Sequence, residues 1–172
     1  MSFAFDTNIL LYASNTESDV HDAAKDYLRK CLAGPQPFYL LWPVVMGYLR
    51  IATHPTIFRN PISPKQAKEN IEALLLSPFC RPLSENDLFW KVYENLSQGH
   101  HPRGNLVPDT HIAALLLTHG VRTFHTRDRD FRRFDHLEVI DPFVPTAGRK
   151  SLRSEKAPRT EKPQRSEKST RK

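Results

Sequence analysis

Carboxylates stand at three separate places in the chain where they could take part in chemistry. Asp6 ends a short apolar stretch near the start of the sequence, and Asp109 opens a long apolar segment. Asp128 and Asp130 alternate with arginines at a third place. Clustered carboxylates repel one another and persist mainly where a cation neutralises them, and oxygen ligands alone select hard ions such as Mg²⁺ or Mn²⁺. Such ions activate water and stabilise an in-line attack on a phosphodiester, so the acids predict a metal-dependent hydrolytic site.

Each acid also has an ordinary structural interpretation. Asp6, which precedes Thr and Asn, can be a turn or cap residue, and Asp109 after Pro108 can simply favour the positive end of a helix dipole. Asp128 and Asp130 can belong to a solvated surface turn. The structural interpretation weakens when the acids are taken together, because all of them fall at predicted strand ends or at a helix start.

Strand and helix patterns alternate along the chain. Strands are predicted at residues 3–5, 38–42, 79–83, 121–126 and 137–140. Helices are predicted at 19–32, 43–52, 63–76, 84–97 and 108–120, with loops at 55–62 and 98–107 and a loop or first helical turn at 6–15. This alternation predicts an α/β fold, a parallel β-sheet flanked by helices. Ligands collect outside the carboxyl ends of such strands, where Asp6 and Asp128 would lie.

The net charge of +6 is unevenly distributed. Residues 146–172 contain ten Lys and Arg and three Glu, whereas residues 1–145 contain fifteen basic and sixteen acidic residues. An Arg-Ser/Thr-Glu-Lys motif recurs every six residues from Arg153. This composition cannot bury a core, so a disordered basic tail at 145–172 is predicted to follow one domain at 1–144. The tail is either a solvated extension without function or a segment that raises non-specific RNA affinity in a salt-dependent way.

Other features of the sequence narrow its class. Cys31 and Cys80 are predicted to be free buried thiols. No apolar run reaches the ~18 residues that span a bilayer, and no secretion signal is recognised, so we expect a cytoplasmic protein. No phosphate-binding glycine loop or Gly-x-Ser-x-Gly elbow is present. Trp42 and Trp90 lie on apolar segments and are interpreted as core or interface residues.

Several separated motifs resemble those of a PIN domain, in the order in which that family has them. Asp-Thr-Asn at 6–8 follows an N-terminal strand, Asp109 opens an Ala/Leu helix, and Thr-Arg-Asp-Arg-Asp-Phe stands at 126–131. The segments 42–55 and 139–142 are similar to one subgroup of the VapC toxins of bacterial toxin–antitoxin pairs. The resemblance covers roughly residues 2–144 and leaves the tail outside.

The resemblance implies a three-layer α/β/α fold, metal-dependent ribonuclease activity, a homodimer and a small antitoxin that neutralises the protein. By position, it implies that Asp6, Asp109 and Asp128 are the catalytic residues and hold Mg²⁺ or Mn²⁺. Supporting roles are implied for a further set of polar residues: Asp130, Thr7, Asn8 and Thr126. Beside the acids stand two candidate contacts to RNA phosphates, Arg127 and Arg129, for which salt bridges to neighbouring acids are an equal alternative.

The chain departs from the family at Gly47. The resemblance places a Glu at this position of the helix after the second strand, and a glycine inside a helix costs about 1 kcal/mol relative to alanine. The loss of one carboxylate predicts weaker metal binding and reduced or absent nuclease activity. The alternative function is therefore a non-catalytic RNA- or partner-binding module on a degenerate PIN fold. A metal-dependent DNA nuclease or phosphatase of similar layout is a third possibility.

Overall fold

The computed structural model describes residues 2–144. Five strands form one sheet: β1 Phe3–Phe5, β2 Phe38–Leu41, β3 Cys80–Leu83, β4 Thr123–His125 and β5 Glu138–Ile140. Six α-helices lie in the same part of the chain: α1 Thr7–Ser14, α2 His21–Ala33, α3 Trp42–Ala52, α4 Pro64–Leu75, α5 Phe89–His100 and α6 Leu106–Thr118. A 3-10 turn covers Arg129–Arg133. The predicted tail at 145–172 lies outside the described residues.

The sheet is parallel throughout and has the strand order β3-β2-β1-β4-β5. The chain winds outward from β1 to β3 and then returns to place β4 on the other side of β1. With right-handed crossovers, this reversal places helices on both faces of the sheet and opens a crevice at the carboxyl ends of β1 and β4. The predicted α/β fold, a parallel sheet flanked by helices, is confirmed.

The core lies where the central strands meet these helices. Phe5, Phe38 and Phe124, one from each of β1, β2 and β4, are fully buried. Strands that are covered on both faces have no polar face, which explains why β1 is apolar at every position. The long helix α6 is likewise apolar nearly all round, and Leu115 and Leu116 are fully buried. The three central strands and α6 therefore form a rigid base for the crevice.

The segment after β1 differs from the prediction of a loop or a single turn. Residues Thr7–Ser14 form the complete helix α1. Asp6 caps this helix, since its Oδ1 accepts a hydrogen bond from the backbone N–H of Thr7 at 2.7 Å. Ile9 and Leu10 are buried beneath it. Tertiary burial of these two side chains stabilises a helix that is too short to form alone.

The helix predicted at 84–97 begins later and ends later in the structure, as α5 at Phe89–His100. The delay has a local cause: the Asn86 side chain accepts a hydrogen bond from the Leu88 backbone at 3.1 Å, which holds a turn instead of a first helical turn. Helix α6 begins at Leu106 and not at Pro108. Proline is tolerated there because the first N–H groups of a helix have no intrahelical partner.

The helix predicted from residue 63 begins with a cap at Ser63, which accepts from the Gln66 backbone at 3.1 Å. The prediction that Cys31 and Cys80 are free and buried is confirmed. The prediction of a core position is wrong for Trp42 and Trp90, whose residues are 38% and 64% exposed; an interface role for them stays a prediction. Within residues 2–144, no helix has the length and apolar character needed to cross a membrane.

Candidate active site

Asp6 lies at the carboxyl end of β1, in the crevice between β1 and β4. Its backbone N–H donates to the His125 carbonyl at 3.0 Å, so the strand pairing continues up to the acid itself. Only 8% of the residue is exposed. The two carboxylate oxygens are used separately, since Oδ1 accepts from the Thr7 backbone at 2.7 Å and Oδ2 accepts from the Thr126 hydroxyl at 2.8 Å. Asp6 is therefore held in one orientation.

The Thr126 hydroxyl is the centre of the hydrogen-bond network in the crevice. It donates to Asp6 Oδ2, and it accepts from Asn8 Nδ2 at 2.8 Å and from the Asp128 backbone N–H at 2.9 Å. The hydroxyl has one proton and two lone pairs, and all three are used. Thr126 itself is buried. One side chain thus joins the end of β1, the first turn of α1 and the loop after β4.

Asp128 and Asp130 follow β4 at the same edge of the sheet. Asp128 caps the 3-10 turn, because its Oδ1 accepts from the Asp130 backbone at 2.8 Å. The Asp130 carboxylate lies 3.2 Å from Arg133 Nη2, in an exposed ion pair. The structure therefore gives Asp130 a partner of opposite charge, while one Asp128 oxygen is occupied by the local turn.

Asp109 approaches from the first turn of α6. The pKa of the Asp109 carboxyl is raised to about 6, mainly by desolvation and also by the negative charges of Asp128 and Asp130, while Arg133 opposes the shift. Charges that affect one another in this way must be close in space. The sequence separates these acids by about 20 residues, and the fold brings them to one crevice.

The environment of Asp6 disfavours a negative charge in the absence of a cation. Burial raises the pKa of Asp6 to about 6, against the lowering effect of the Thr126 and Thr7 hydrogen bonds. The carboxylates of Asp109 and Asp128 also raise it. Two acids with raised pKa values in one crevice are a frequent property of functional sites. A bound cation would relieve both the burial penalty and the mutual repulsion.

The oxygen donors in the crevice suit a hard cation, although they do not form a complete coordination site. The available donors are carboxylate oxygens and the amide oxygen Asn8 Oδ1, which is buried and accepts no hydrogen bond from a described residue. Oxygen ligands of this kind suit Mg²⁺ or Mn²⁺. Across residues 2–144, however, no three His, Cys, Asp or Glu side chains converge closely enough to hold a metal by themselves.

Gly47 lies beside this crevice, in the interior of α3. A Cβ atom at position 47 would lie 3.1 Å from the Thr7 Oγ1 atom and 3.5 Å from its Cγ2 atom. Thr7 follows Asp6 directly, so a side chain at position 47 would start next to the proposed ligands. The Thr7 hydroxyl, which this Cβ atom would approach, donates a hydrogen bond to the Val44 carbonyl at 3.3 Å. The position at which an acid was expected is thus adjacent to the site and carries no side chain.

Arg127 has a structural environment that the sequence did not predict. Its guanidinium lies 3.4 Å from Asp19 and 3.8 Å from Asp141, and its Cζ lies 5.6 Å from the centre of the Tyr12 ring. These contacts connect the end of β4 to α1, to the turn before α2 and to the segment after β5. Arg127 and Arg129 are both exposed residues. The alternating Arg-Asp sequence revealed the charged residues but not these distant partners of Arg127. RNA contacts by Arg127 and Arg129 stay a prediction.

Comparison with known proteins places this arrangement in a family. The sequence matches the PIN domain over residues 3–137. It is 46% identical over 143 residues to ribonuclease VapC48 of Mycobacterium tuberculosis, which covers 83% of this chain and 99% of that protein. The chain is a member of the VapC group of the PIN-domain family. A VapC ribonuclease of Mycobacterium bovis is 30% identical over 137 residues, covering 80% of this chain and 92% of its own.

Solved structures show that the fold of this VapC-like chain is that of toxin–antitoxin proteins. VapBC2 of Rickettsia felis, bound to a promoter DNA fragment, matches with a TM-score of 0.56 at 17% identity, over 81% of this chain and 98% of that one. The sarcin-ricin loop cleaving toxin VapC20 of M. tuberculosis matches with a TM-score of 0.55 at 19% identity, over 76% and 93% of the two chains. At these identities the likeness establishes the shared fold, and the resemblance stated from the sequence is confirmed.

Proposed function

We propose that this chain is a metal-dependent ribonuclease and the toxin of a toxin–antitoxin pair. The observation that carries the proposal is the meeting of Asp6, Asp109 and Asp128 at the switch point of the sheet, in a member of the VapC group. Its curated relatives are named ribonucleases. A crevice of carboxylates in an open parallel sheet suits hydrolysis of a phosphodiester, because the substrate can reach it from the strand ends.

Three aspartates are proposed to hold the ion, and their neighbours to position them. Asp6, Asp109 and Asp128 would be the ligands, and the buried Asn8 Oδ1 would be a further oxygen donor. A divalent cation bound there supplies Lewis acidity toward the phosphodiester and lowers the pKa of water. Thr126 fixes the distance between the Asp6 carboxylate and the Asp128 backbone through its three hydrogen bonds. Asp130, whose exposed carboxylate is paired with Arg133, is proposed to act as a supporting charge.

Gly47 is proposed to weaken this site. A glutamate there would add one negative charge and one ligand or orienting group next to Thr7, and positioning losses of this kind cost ~10–100-fold in metal affinity. The second candidate function is a non-catalytic RNA- or partner-binding module. Two observations favour it: Gly47 has no side chain, and no three acidic, His or Cys side chains within residues 2–144 converge closely enough to hold a metal. Retention of all three aspartates favours the enzyme.

An antitoxin is proposed to bind the groove between α1, α2, α3 and α4. Its floor carries the Tyr48 hydroxyl, which lies 2.8 Å from Ser14 Oγ and accepts from Asn70 Nδ2 at 2.8 Å. Its walls are apolar and are formed by these residues: Leu10, Ala13, Leu28, Leu32, Ala73 and Leu74. Lys25 and Arg29 also line it. An amphipathic helix with acidic residues along its edge would complement this groove.

A second copy of the chain is proposed to cover α5. This helix has a strongly amphipathic sequence, yet none of its residues is buried in the single chain. Trp90 is 64% exposed and stacks on Tyr93 at a ring distance of 5.5 Å. A pair of large aromatic rings on an open helix face is typical of association surfaces. The measurement is the sedimentation behaviour of Trp90→Ser beside the parent chain.

The function is tested by measuring Mn²⁺ binding and RNA cleavage in parallel. Asp109→Asn should abolish both, and the exposed loop variant Asp87→Asn should change neither. Gly47→Glu should tighten Mn²⁺ binding ~10–100-fold and increase cleavage, whereas Gly47→Ala should stiffen the helix without either gain. If no variant cleaves RNA with Mn²⁺, the enzyme proposal is wrong and the binding module takes its place. If Gly47→Glu and Gly47→Ala bind Mn²⁺ equally, the role assigned to position 47 is wrong.

A further inference from the structure

Trp42 begins helix α3 at the edge of the sheet that carries the acids. Strands β1 and β2 are parallel neighbours, and their register places Trp42 level with Thr7. Neighbouring strands of a sheet lie only ~4.8 Å apart. The hydrogen bond from the Thr7 hydroxyl to the Val44 carbonyl, at 3.3 Å, joins the first turn of α1 to that of α3. The start of α3 is therefore adjacent to Asp6.

The indole of Trp42 is not engaged by the fold. The residue is 38% exposed. Within residues 2–144, no aromatic ring contacts this indole and its N–H group makes no hydrogen bond. Trp90 differs in this respect, because its ring stacks on Tyr93 at 5.5 Å. A large apolar side chain left in water beside a site is typical of a binding surface.

Two further exposed side chains continue from Trp42 along α3. Met46 and Arg50 follow it at intervals of four residues, which places all three on one face of the helix. Met46 is 56% exposed, and Arg50 is exposed and forms no ion pair with a described residue. At 1.5 Å per residue, these three residues, here called the α3 stripe, extend about 12 Å from the edge of the sheet.

We propose that the α3 stripe binds single-stranded RNA beside the acids, with an unpaired base stacked on Trp42. The proposal rests on RNA being the substrate. An indole and a thioether offer polarisable surface to a base, and a guanidinium binds a phosphate. Helix α3 contains no acidic residue that would repel that phosphate. The strand must be single because the bases of a duplex are already stacked on one another.

The fluorescence of Trp42 tests the stacking directly. Trp42 and Trp90 are the two tryptophans of the chain, so Trp90→Phe leaves Trp42 as the only one. A single-stranded RNA oligonucleotide, added in EDTA to prevent metal-dependent cleavage, should quench this fluorescence because a base stacks on the indole. The same strand annealed into a duplex should quench it far less.

Binding measurements separate stacking from charge. Trp42→Ala should weaken single-strand binding about 5–150-fold without changing the salt slope, since stacking releases no counterions. Trp42→Phe keeps a ring and should retain most of the affinity. Arg50→Gln should reduce the slope of log K against log salt by about 0.7, as expected for one phosphate contact. The control is Leu76→Ala, which removes an 83% exposed apolar side chain beyond the end of α4 and should bind RNA like the parent.

Three results would overturn the proposal. They are unchanged Trp42 fluorescence on RNA binding, an equal loss of single-strand and duplex affinity in Trp42→Ala, and a changed sedimentation coefficient of Trp42→Ala with unchanged RNA affinity. The last result would make the α3 stripe an interface between copies of the chain. Quenching by RNA in a chain that does not cleave RNA with Mn²⁺ would support the stripe while the catalytic proposal fails. Cleavage without quenching would refute the stripe and leave the catalytic proposal standing.

Discussion

Asp6→Asn should stabilise the metal-free protein at neutral pH while abolishing its metal binding. Asp6 is buried, and its pKa of about 6 lies well above the ordinary value of 3.8. The folded chain therefore holds this proton more tightly than the unfolded chain does. The stabilisation that results is complete below pH 3.8 and is lost as the pH rises through about 6. Asparagine has no charge to bury, so the variant avoids this loss.

The size of the effect follows from the shift and from the contacts of the carboxylate. A rise of about two pKa units corresponds to about 3 kcal/mol lost by the parent at pH 7.5. Asparagine must place an NH₂ group where one oxygen accepted from Thr7 or Thr126, which costs about 1 kcal/mol or more. The net gain should be about 1–2 kcal/mol at pH 7.5, or about 3–6 °C in melting temperature. At pH 4.5 the smaller charge-burial loss of the parent and the hydrogen-bond cost of the variant are nearly equal, so the two chains should have nearly the same stability.

The assay is thermal unfolding in EDTA at pH 7.5 and pH 4.5, repeated at pH 7.5 with Mn²⁺. Mn²⁺ should raise the melting temperature of the parent and not that of Asp6→Asn, since only a folded-state ligand stabilises. The exposed acid variant Asp87→Asn is the control and should behave like the parent throughout. If Asp6→Asn is destabilised equally at both pH values, burial of its charge is not the dominant cost and the reasoning is refuted.

Three further predictions concern the surroundings of the site. Thr126→Val should raise the pKa of Asp6 further and cost about 1–3 kcal/mol in chemical denaturation, because it leaves hydrogen-bonding groups unpaired; Thr126→Ser is the control that keeps the hydroxyl. Arg127→Ala should lower stability slightly, because it removes the ion pairs with Asp19 and Asp141, whereas Arg129→Ala should reduce the salt slope of RNA binding by about 0.7 if Arg129 contacts phosphate. Ala13→Trp should fill the antitoxin groove and abolish co-purification with a co-expressed antitoxin, without changing Mn²⁺ binding.

The outline of the site follows from the sequence because it depends on a regularity of parallel sheets. Strand ends meet at one edge, so Asp6 after β1 and Asp128 after β4 could be expected to lie together once the alternation of elements was recognised. Asp109 follows from the start of a long apolar helix. The start of the helix at residue 63 and the end of the helix at residue 120 also follow from the sequence, because capping residues and glycines with positive φ angles have strong positional preferences.

Other features depend on contacts between residues far apart in the chain. Helix α1 was not predicted because the burial of Ile9 and Leu10, and not helix propensity, holds eight residues in place. The delayed start of α5 depends on a turn at Asn86 that competes with a helix. The partners of Arg127 are more than a hundred residues away in one case, so no local pattern could identify them.

The sequence by itself determined which acids are present, their order, the missing side chain at Gly47 and the basic charge of the tail. These are properties of residue identity and spacing. Only the tertiary structure decided that one hydroxyl, Thr126, binds both Asp6 and the backbone of Asp128, and that position 47 contacts Thr7. Distances of about 3 Å between residues 40 to 120 positions apart are fixed by how helices pack on the sheet. The same packing sets the pKa of Asp6, because burial is a property of the whole fold.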